Sequence, residues 1–230
     1  MTTRVSFQGF RYIVRRLVIL TIFGLVLFVA AGSWNWPRAW VALAVSLVCE
    51  LFVLVCLALR APETLNQRGA SHAGVKPFDI VFAVAWVALS GSLAVVAGLD
   101  CIRYGWSSLP WPAFVPGLGL VIAATGLGTW AMIENEHFEQ FVRIQTDRNH
   151  RVVTTGPYRM VRHPGYVAGI LGSLAGPLMF GSVWSFVPAC MLVVLFIWRT
   201  SREDKTLQEE LDGYMQYTKQ TPHRLIPCAW

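Results

Sequence analysis

Four long runs of hydrophobic residues occupy most of the first 133 residues of the chain. Each run contains about 18 to 21 residues, enough for an α-helix to cross roughly 30 Å of hydrocarbon at about 1.5 Å per residue. Glu50 is the only charged residue inside these runs. The pattern predicts four transmembrane helices, over Leu17–Trp34, Ala39–Leu59, Ile80–Leu99 and Ala113–Ile133.

Two shorter apolar runs follow later in the chain. Gly165–Phe180 and Val183–Trp198 are separated only by Gly181 and Ser182, which predicts two helices joined by a tight turn. We therefore expect an all-α integral membrane protein with about six membrane helices. The last two would form a short hairpin beside a cytoplasmic cofactor site, and an amphipathic helix is expected in the C-terminal tail.

The composition supports a membrane protein. Hydrophobic residues make up 55% of the 230 residues, charged residues only 14%, and the mean hydropathy is +0.50. Soluble domains carry about 25% charged residues, so a soluble enzyme, a secreted disulfide scaffold and a disordered tail are excluded. The five cysteines do not have the spacing of metal ligands. We therefore expect neither a disulfide framework nor a metal site.

The basic residues follow the topology of the predicted helices. Seventeen of the nineteen lysines and arginines lie on one side of the membrane in this arrangement, and only Arg38 and Arg103 lie on the other. By the positive-inside rule both termini are cytoplasmic, in a bacterial inner membrane or the endoplasmic reticulum. The first run is then a retained helix and not a cleaved signal peptide. Orientation also explains the net charge of +6, so we expect the lipid bilayer as partner, no nucleic acid and no obligate protein partner.

The chain divides into two parts by composition. Residues 1–133 hold four simple spans with short loops and are interpreted as a membrane scaffold. Residues 134–230 combine a polar segment, the short hairpin and a charged tail. Short spans beside a charged segment are typical of a site in a membrane protein, so we place the cofactor-binding and catalytic region there.

The most informative polar stretch runs from His150 to Tyr166. Gly156 and Pro157 predict a turn, and Pro164 suits the first turn of the following helix. The free backbone amides at that helix start, beside Arg162 and His163, favour an anion such as a carboxylate. The alternative is a loop whose arginines meet lipid phosphates while its tyrosines anchor at the interface.

A second polar stretch begins where the last helix leaves the membrane. Arg199 and Glu203 are four residues apart, so a continuing helix places both on one face. Together they could hold a zwitterionic ligand, with the arginine on an anion and the glutamate on an amine or hydroxyl. The alternative is an exposed ion pair worth about 0.3 to 0.5 kcal/mol.

Four segments in this half of the chain resemble, in order and spacing, the isoprenylcysteine carboxyl methyltransferase family. These are integral-membrane S-adenosylmethionine enzymes related to the phospholipid N-methyltransferases. The resemblance covers about residues 135–230, whereas the first four spans carry no motif. The segments are Gly156–Tyr166, Arg199–Asp204, Gly213–Tyr217 and Arg224–Pro227.

The resemblance implies a methyltransferase that uses S-adenosylmethionine and a lipophilic or amphiphilic acceptor, first of all a carboxylate. Arg199 would face the substrate, and Glu203, the other residue assigned to catalysis, would contact the cofactor and serve a protonated acceptor. The family's doubled glutamate is Glu203 followed by Asp204 here, which keeps the charge. The implied cofactor-binding residues are Gln145, His150, Arg151, Val152, Val153, Tyr158, His163, Pro164, Gly165, Tyr166 and Glu203.

Three other functions are compatible with the sequence. A phospholipid N-methyltransferase would share the cofactor and methylate an amine. Membrane sterol and enone reductases share an Arg-His-Pro-x-Tyr element and use a nicotinamide cofactor, but asparagine usually stands where Gly165 lies here. A non-catalytic scaffold or transporter is the third, and Glu50 inside a span is the residue that favours transport.

Overall fold

The protein is built from eight α-helices among the described residues, and no strand occurs among them. The computed structural model describes residues 4–70, 75–143, 145 and 148–227. A π-helical turn, Leu99–Arg103, extends the fourth helix, and a 3₁₀ turn, Trp111–Ala113, precedes the fifth. The helices are α1 (Phe7–Ala31), α2 (Pro37–Arg60), α3 (Pro62–Gly69), α4 (Pro77–Gly98), α5 (Phe114–Glu134), α6 (Pro164–Phe180), α7 (Phe186–Glu210) and α8 (Tyr214–Gln220).

Proline sets the start of half of these helices. Pro37, Pro62, Pro77 and Pro164 each occupy the first helical position, where the missing N–H costs nothing and the fixed φ already suits a helix. Ser6 instead caps α1, its side chain accepting a hydrogen bond from the backbone of Gly9. The helix boundaries therefore follow from local chemistry.

Four helices are long and apolar enough to cross a membrane. They span Phe7–Ala31, Pro37–Arg60, Pro77–Arg103 and Trp111–Glu134. The prediction of an all-helical protein with these four apolar helices is confirmed, with shifts of the helix ends. The largest shift is in α1, which begins at Phe7 and not at Leu17, because the helix continues past the apolar run through a segment that mixes phenylalanines with arginines.

The helices pack as a bundle with small residues at the close contacts. α4 packs against α1 on one side and α7 on the other, and α5 lies along α6. At Gly98 an added Cβ would lie 2.6 Å from the backbone of α1, so only glycine lets α1 and α4 approach this closely. Many large apolar side chains on the outside remain exposed, such as Val29, Leu59 and Val84, as expected of a surface that meets lipid.

The charge inside the second span is paired. Both oxygens of Glu50 on α2 accept hydrogen bonds from the Arg16 guanidinium on α1, at 2.8 and 2.5 Å. A two-pronged ion pair between neighbouring helices gives this carboxylate a structural role. The structure therefore provides no support for a transport function based on Glu50.

The second part of the chain closes one end of the bundle. The loop between α5 and α6, the lower turns of α7, and α8 pack around a second core formed by Ala131, Tyr158, Leu211, Tyr214 and Tyr217. α7 is 25 residues long and continues unbroken from its apolar half into its charged half. This continuity carries Arg199 and Glu203 on a single rigid helix at that end of the bundle.

Candidate active site

A cavity of about 610 Å³ lies at the end of the bundle that carries the α5–α6 loop and the C-terminal tail. Its walls come from α1, α3, α4, α5, α6, α7 and α8, and from the loop. Every site residue named from the sequence lines this one cavity: Gln145, His150, Arg151, Val152, Val153, Tyr158, His163, Pro164, Gly165, Tyr166, Arg199 and Glu203.

The start of α6 brings the His-Pro-Gly-Tyr turn against α7. The Tyr166 hydroxyl donates a hydrogen bond to Oε2 of Glu203. The ring of His163 stacks on that of Tyr166 with centroids 5.6 Å apart, and its Nδ1 lies 3.9 Å from Oε1 of Glu203. At Gly165 an added Cβ would lie 2.5 Å from the Phe138 ring, so a larger residue here would force that ring to shift.

Asp204 is the centre of a buried polar network beneath the turn. Arg162 forms a fork on it, with Nε 2.8 Å from Oδ1 and Nη2 3.0 Å from Oδ2. Tyr214 donates at 3.0 Å, Arg224 at 2.9 Å and Gln208 at 2.6 Å. The carboxylate, fully buried, therefore joins α6, α7, α8 and the tail.

The same carboxylate orients His163 and is held in its charged form. Nε2 of His163 lies 3.1 Å from Oδ1 of Asp204, which leaves Nδ1 on the side of Glu203. Burial alone would raise the pKa of Asp204, but hydrogen bonds from His163 and Arg162, and their charges, hold that pKa well below its usual range. Burial, and then the charge of Asp204, raises the pKa of the Tyr214 phenol, so this hydroxyl stays a donor.

The tail is fixed by backbone contacts to the same segment. Nη1 of Arg162 donates to the carbonyl oxygens of Thr221 and Pro222 at 2.9 and 2.7 Å. The backbone amides of Arg162 and His163 donate to the carbonyls of His223 and Arg224. The family-like segment Arg224–Pro227 and the residues just before it thus form a C-terminal strap that packs against the start of α6.

Arg199 lies on the cavity wall and is held from two sides. Its Nη2 donates to the backbone oxygen of Gln140 at 2.7 Å and lies 2.9 Å from Oδ1 of Asp79 on α4. The guanidinium sits over the Phe82 ring at 4.1 Å and near the Tyr166 ring at 5.3 Å. Its Nε is buried and has no hydrogen-bond partner among the described residues. The contacts of Nη2 therefore fix the orientation of Arg199 in the cavity wall.

Asp79 was not assigned to the site from the sequence. It stands at the start of α4, directly before the apolar run, and is fully buried. Its other oxygen accepts a hydrogen bond from the backbone of Val142, so it also anchors the loop. The sequence did contain a signal for this pair: Asp79 borders one predicted span and Arg199 borders another, on the same side of the membrane.

The loop residues Gln145 and His150 are bound mainly to the loop itself. Nε2 of Gln145 donates to the carbonyl of His137 at 2.7 Å, and Oε1 accepts from Arg148 at 2.9 Å. The His150 ring lies 4.6 Å from that of His137. Burial, and then the charges of His137, Arg143 and Arg148, lowers the pKa of His150 to about 4, so it is neutral at physiological pH.

Tyr158 supports the cavity from behind. Its hydroxyl accepts from Asn135 at 3.2 Å and donates to the carbonyl of Ala131 at 3.3 Å. Tyr217 in turn donates to the carbonyl of Tyr158 at 2.7 Å. Burial raises the pKa of Tyr158, which keeps it protonated. Val152 and Val153 pack against the same core.

The other end of the cavity is apolar. Side chains from several helices line it where it enters the bundle, and none of them carries a charge. They are Ile19, Ala83, Trp86, Val87 and Met132. The cavity therefore joins a polar compartment at the loop end to a hydrocarbon-like compartment between the helices.

Comparisons with known proteins agree with the sequence motifs. Residues 112–212 match the phospholipid methyltransferase family. Protein-S-isoprenylcysteine O-methyltransferase of Schizosaccharomyces pombe is 26% identical over 151 residues, which are 58% of this chain and 59% of the relative. The Mus musculus protein of that name is 29% identical over 210 residues, 86% of this chain and 68% of the relative.

The Homo sapiens protein of the same name is 30% identical over 144 residues, 56% of this chain and 49% of the relative. The chain thus spans between about half and two thirds of the length of these relatives. The matched family and these relatives are methyltransferases by name. The resemblance drawn from the four C-terminal segments is confirmed: the chain is similar to the protein-S-isoprenylcysteine O-methyltransferases.

Proposed function

We propose that the protein transfers a methyl group from S-adenosylmethionine to the carboxylate of a lipophilic acceptor at the surface of a membrane. The observation that carries this proposal is the two-part cavity, which joins Arg199, Glu203 and His163 to an apolar channel between the helices. A polar methyl donor and an amphiphilic acceptor would reach one another only in a cavity of this kind.

The polar compartment fits the chemistry of S-adenosylmethionine. A volume of about 610 Å³ is in the range of small-molecule sites and has room for the cofactor and the head of an acceptor. Glu203 offers a carboxylate for the ammonium group of the cofactor, and the rings of Tyr166 and His163 offer aromatic surface. When bound, the cofactor supplies a methyl group that its sulfonium charge has already activated.

The residues of the chain then have to position the acceptor and exclude water. A carboxylate is nucleophilic without losing a proton, so it needs only to be held about 3 Å from the methyl carbon in a dry site. Arg199, fixed by Asp79 and Gln140, lines the cavity and would bind the acceptor carboxylate through its guanidinium. The hydrogen bond from Tyr166 orients Glu203, which would contact the cofactor.

The apolar compartment supports a lipid-linked acceptor. Ile19, Trp86 and Val87 line its wall beside the arginines of the polar compartment. The relatives act, by their names, on isoprenylcysteine, a carboxylate attached to a long hydrocarbon. An acceptor of that shape would place its chain between the helices and its carboxylate near Arg199.

A phospholipid amine is the second candidate acceptor. The match of residues 112–212 to the phospholipid methyltransferase family favours it. An amine must lose a proton before it can attack, and Glu203, which lines the cavity, would receive it. The two candidates therefore differ in whether Glu203 has to act as a base.

We also propose that α6 and the apolar half of α7 cross the membrane as fifth and sixth spans, with both termini cytoplasmic. Their packing on α4 and α5 and the distribution of arginines support this arrangement. Topology reporters fused after Trp34 and Ser108 should then report the outer side, and those after Gly69 and His150 the cytoplasm. A cytoplasmic signal at Ser108 would contradict the proposal.

Methyl-labelled S-adenosylmethionine tests the reaction directly. The purified protein would be incubated with an S-farnesylcysteine derivative bearing a free carboxylate, with its carboxamide as matched control, or with a phospholipid extract. Alkali-labile label in the carboxylate acceptor alone supports the first candidate. Alkali-stable label in the lipid amine supports the second. Absence of label from every acceptor, with cofactor binding intact, would contradict both.

A further inference from the structure

Two arginines outside the motif region share one aromatic ring at the mouth of the cavity, where the lining residue Arg15 is exposed. Arg15 on α1 and Arg68 on α3 lie with their guanidinium carbons 5.5 and 5.4 Å from the centroid of Tyr12. Nε of Arg68 also donates to the Tyr12 hydroxyl at 3.1 Å, and its guanidinium lies 5.3 Å from the Phe138 ring. Two positive charges are thus gathered around one side chain.

Neither charge is neutralised within the described part of the chain. Arg15 donates to the carbonyl of Arg68 at 2.7 Å and to Oε1 of Gln140 at 2.9 Å, and both acceptors are neutral. The acceptors of Arg68 are the Tyr12 hydroxyl and the carbonyl of Phe138, again neutral. By contrast Arg16, the next residue, is paired with a carboxylate. Placing two like charges together without an acid favours binding of an anion between them.

The cluster belongs to the same cavity as Arg199. Arg15 and Arg68 both line the cavity, next to the apolar Ile19. Gln140 links the two regions, because its side-chain oxygen accepts from Arg15 and its backbone oxygen accepts from Arg199. A ligand at these two arginines would therefore have its anionic group at the mouth and its hydrocarbon beside it in the apolar compartment.

We propose that Arg15 and Arg68 form a second anion subsite that binds a phosphate or carboxylate group attached to a hydrocarbon chain. The planar guanidinium forks suit either oxyanion. The group could belong to the acceptor, as an anionic centre distinct from the methylated one, or to a bilayer lipid lying in the mouth. This inference rests on the proposed function only for the identity of the acceptor, because the anion subsite itself is defined by the arginines.

The test measures binding of dodecyl phosphate to the purified protein in an uncharged detergent, by native mass spectrometry. R15Q and R68Q should each weaken binding about fivefold or more, since each removes hydrogen bonds to a charged group, and the double variant should lose it. R60Q is the matched control, because Arg60 is an exposed arginine at the end of α2 on the same side of the bundle. Parent-like binding by the double variant would overturn the proposal.

A second measurement needs no substitution and covers the case of a variant that fails to fold. Addition of dodecyl phosphate to the unaltered protein should slow amide hydrogen exchange around residues 12–16 and 65–69, whereas neutral dodecyl maltoside should not. Unchanged exchange at saturating dodecyl phosphate would equally overturn the proposal.

Two further arms distinguish the sources of the anion. Retention of phosphatidylglycerol from nanodiscs by the parent, and its loss from the double variant, identifies a bilayer lipid. If the double variant instead has a raised KM for an acceptor with two anionic groups and an unchanged KM for an acceptor with one, the bound anion belongs to the acceptor. If no acceptor is methylated at all, the proposed reaction fails while the dodecyl phosphate measurements still decide on the subsite.

Discussion

Replacement of Asp204 by asparagine should release the C-terminal strap from the bundle. The side chain of Asp204 is fully buried and that of Arg162 is only 5% exposed, so the substitution leaves a buried cation without its partner. Breaking such a pair costs about 3–5 kcal/mol. Arg162 keeps the carbonyls of Thr221 and Pro222, and Arg224 is 32% exposed and contributes little, so we expect a loss near the lower end, about 3 kcal/mol.

Amide hydrogen exchange of residues 214–227, followed by mass spectrometry, measures this loss. A local destabilisation of about 3 kcal/mol corresponds to roughly a hundredfold faster exchange. Affinity for S-adenosylmethionine should fall together with it, because His163 loses the carboxylate that orients its ring. Asp212→Asn is the matched control, since Asp212 is an exposed aspartate in the turn between α7 and α8.

The pH dependence gives an independent check with a definite sign. The pKa of Asp204 in the folded protein is lowered, so its stabilisation is present above the unfolded pKa of about 3.9 and is lost as the pH falls below it. The gap between parent and D204N should therefore close as the pH falls below about 3.9. Adding R162Q to D204N should restore part of the protection, because it removes the stranded charge. Exchange in D204N within twofold of D212N would refute this account of the network.

Three further predictions concern the cavity. Substitution of Arg199 by alanine, together with Asp79→Asn to avoid an unpaired buried carboxylate, should impair turnover or raise the KM for the acceptor with cofactor affinity preserved. Glu203→Gln should weaken cofactor binding instead. Calorimetric titration of the cofactor into each variant separates these two effects. Cofactor affinity and turnover within twofold of the parent in both variants would contradict the roles assigned to Arg199 and Glu203. His163→Ala should weaken S-adenosylmethionine binding roughly ten- to hundredfold, the value of a hydrogen bond to a charged group, and unchanged affinity would leave the turn only a structural role. The His150 imidazole should titrate near pH 4 by NMR. Because its pKa is lowered on folding, the thermal stability of the parent should decline from pH 6.5 to 4, and that of H150N should decline less. Equal slopes of stability against pH in the two proteins would contradict this.

The helices and the local turn could be predicted because their causes lie in consecutive residues. A bilayer requires an apolar run of fixed length, and each of the four long runs forms a helix. The proline at the start of α6 and the spacing of Arg199 and Glu203 along α7 are equally local. The contribution of the first 133 residues to the cavity was not predictable in this way. Asp79 on α4 contacts Arg199 on α7 only because the bundle packs α4 beside α7. The hydropathy of a sequence does not indicate which helices are neighbours.

The basic residues illustrate the same difficulty in a sharper form. Counted along the sequence, seventeen of them simply mark one side of the membrane, and each contributes equally to that signal. In the structure they differ in whether the fold places an acidic side chain beside them. Arg16, Arg162 and Arg199 each meet a carboxylate, so folding itself explains their position. Arg15 and Arg68 line a cavity and donate only to neutral acceptors. Neither the topology of the chain nor an ion pair therefore explains why they lie together, whereas a bound anion would.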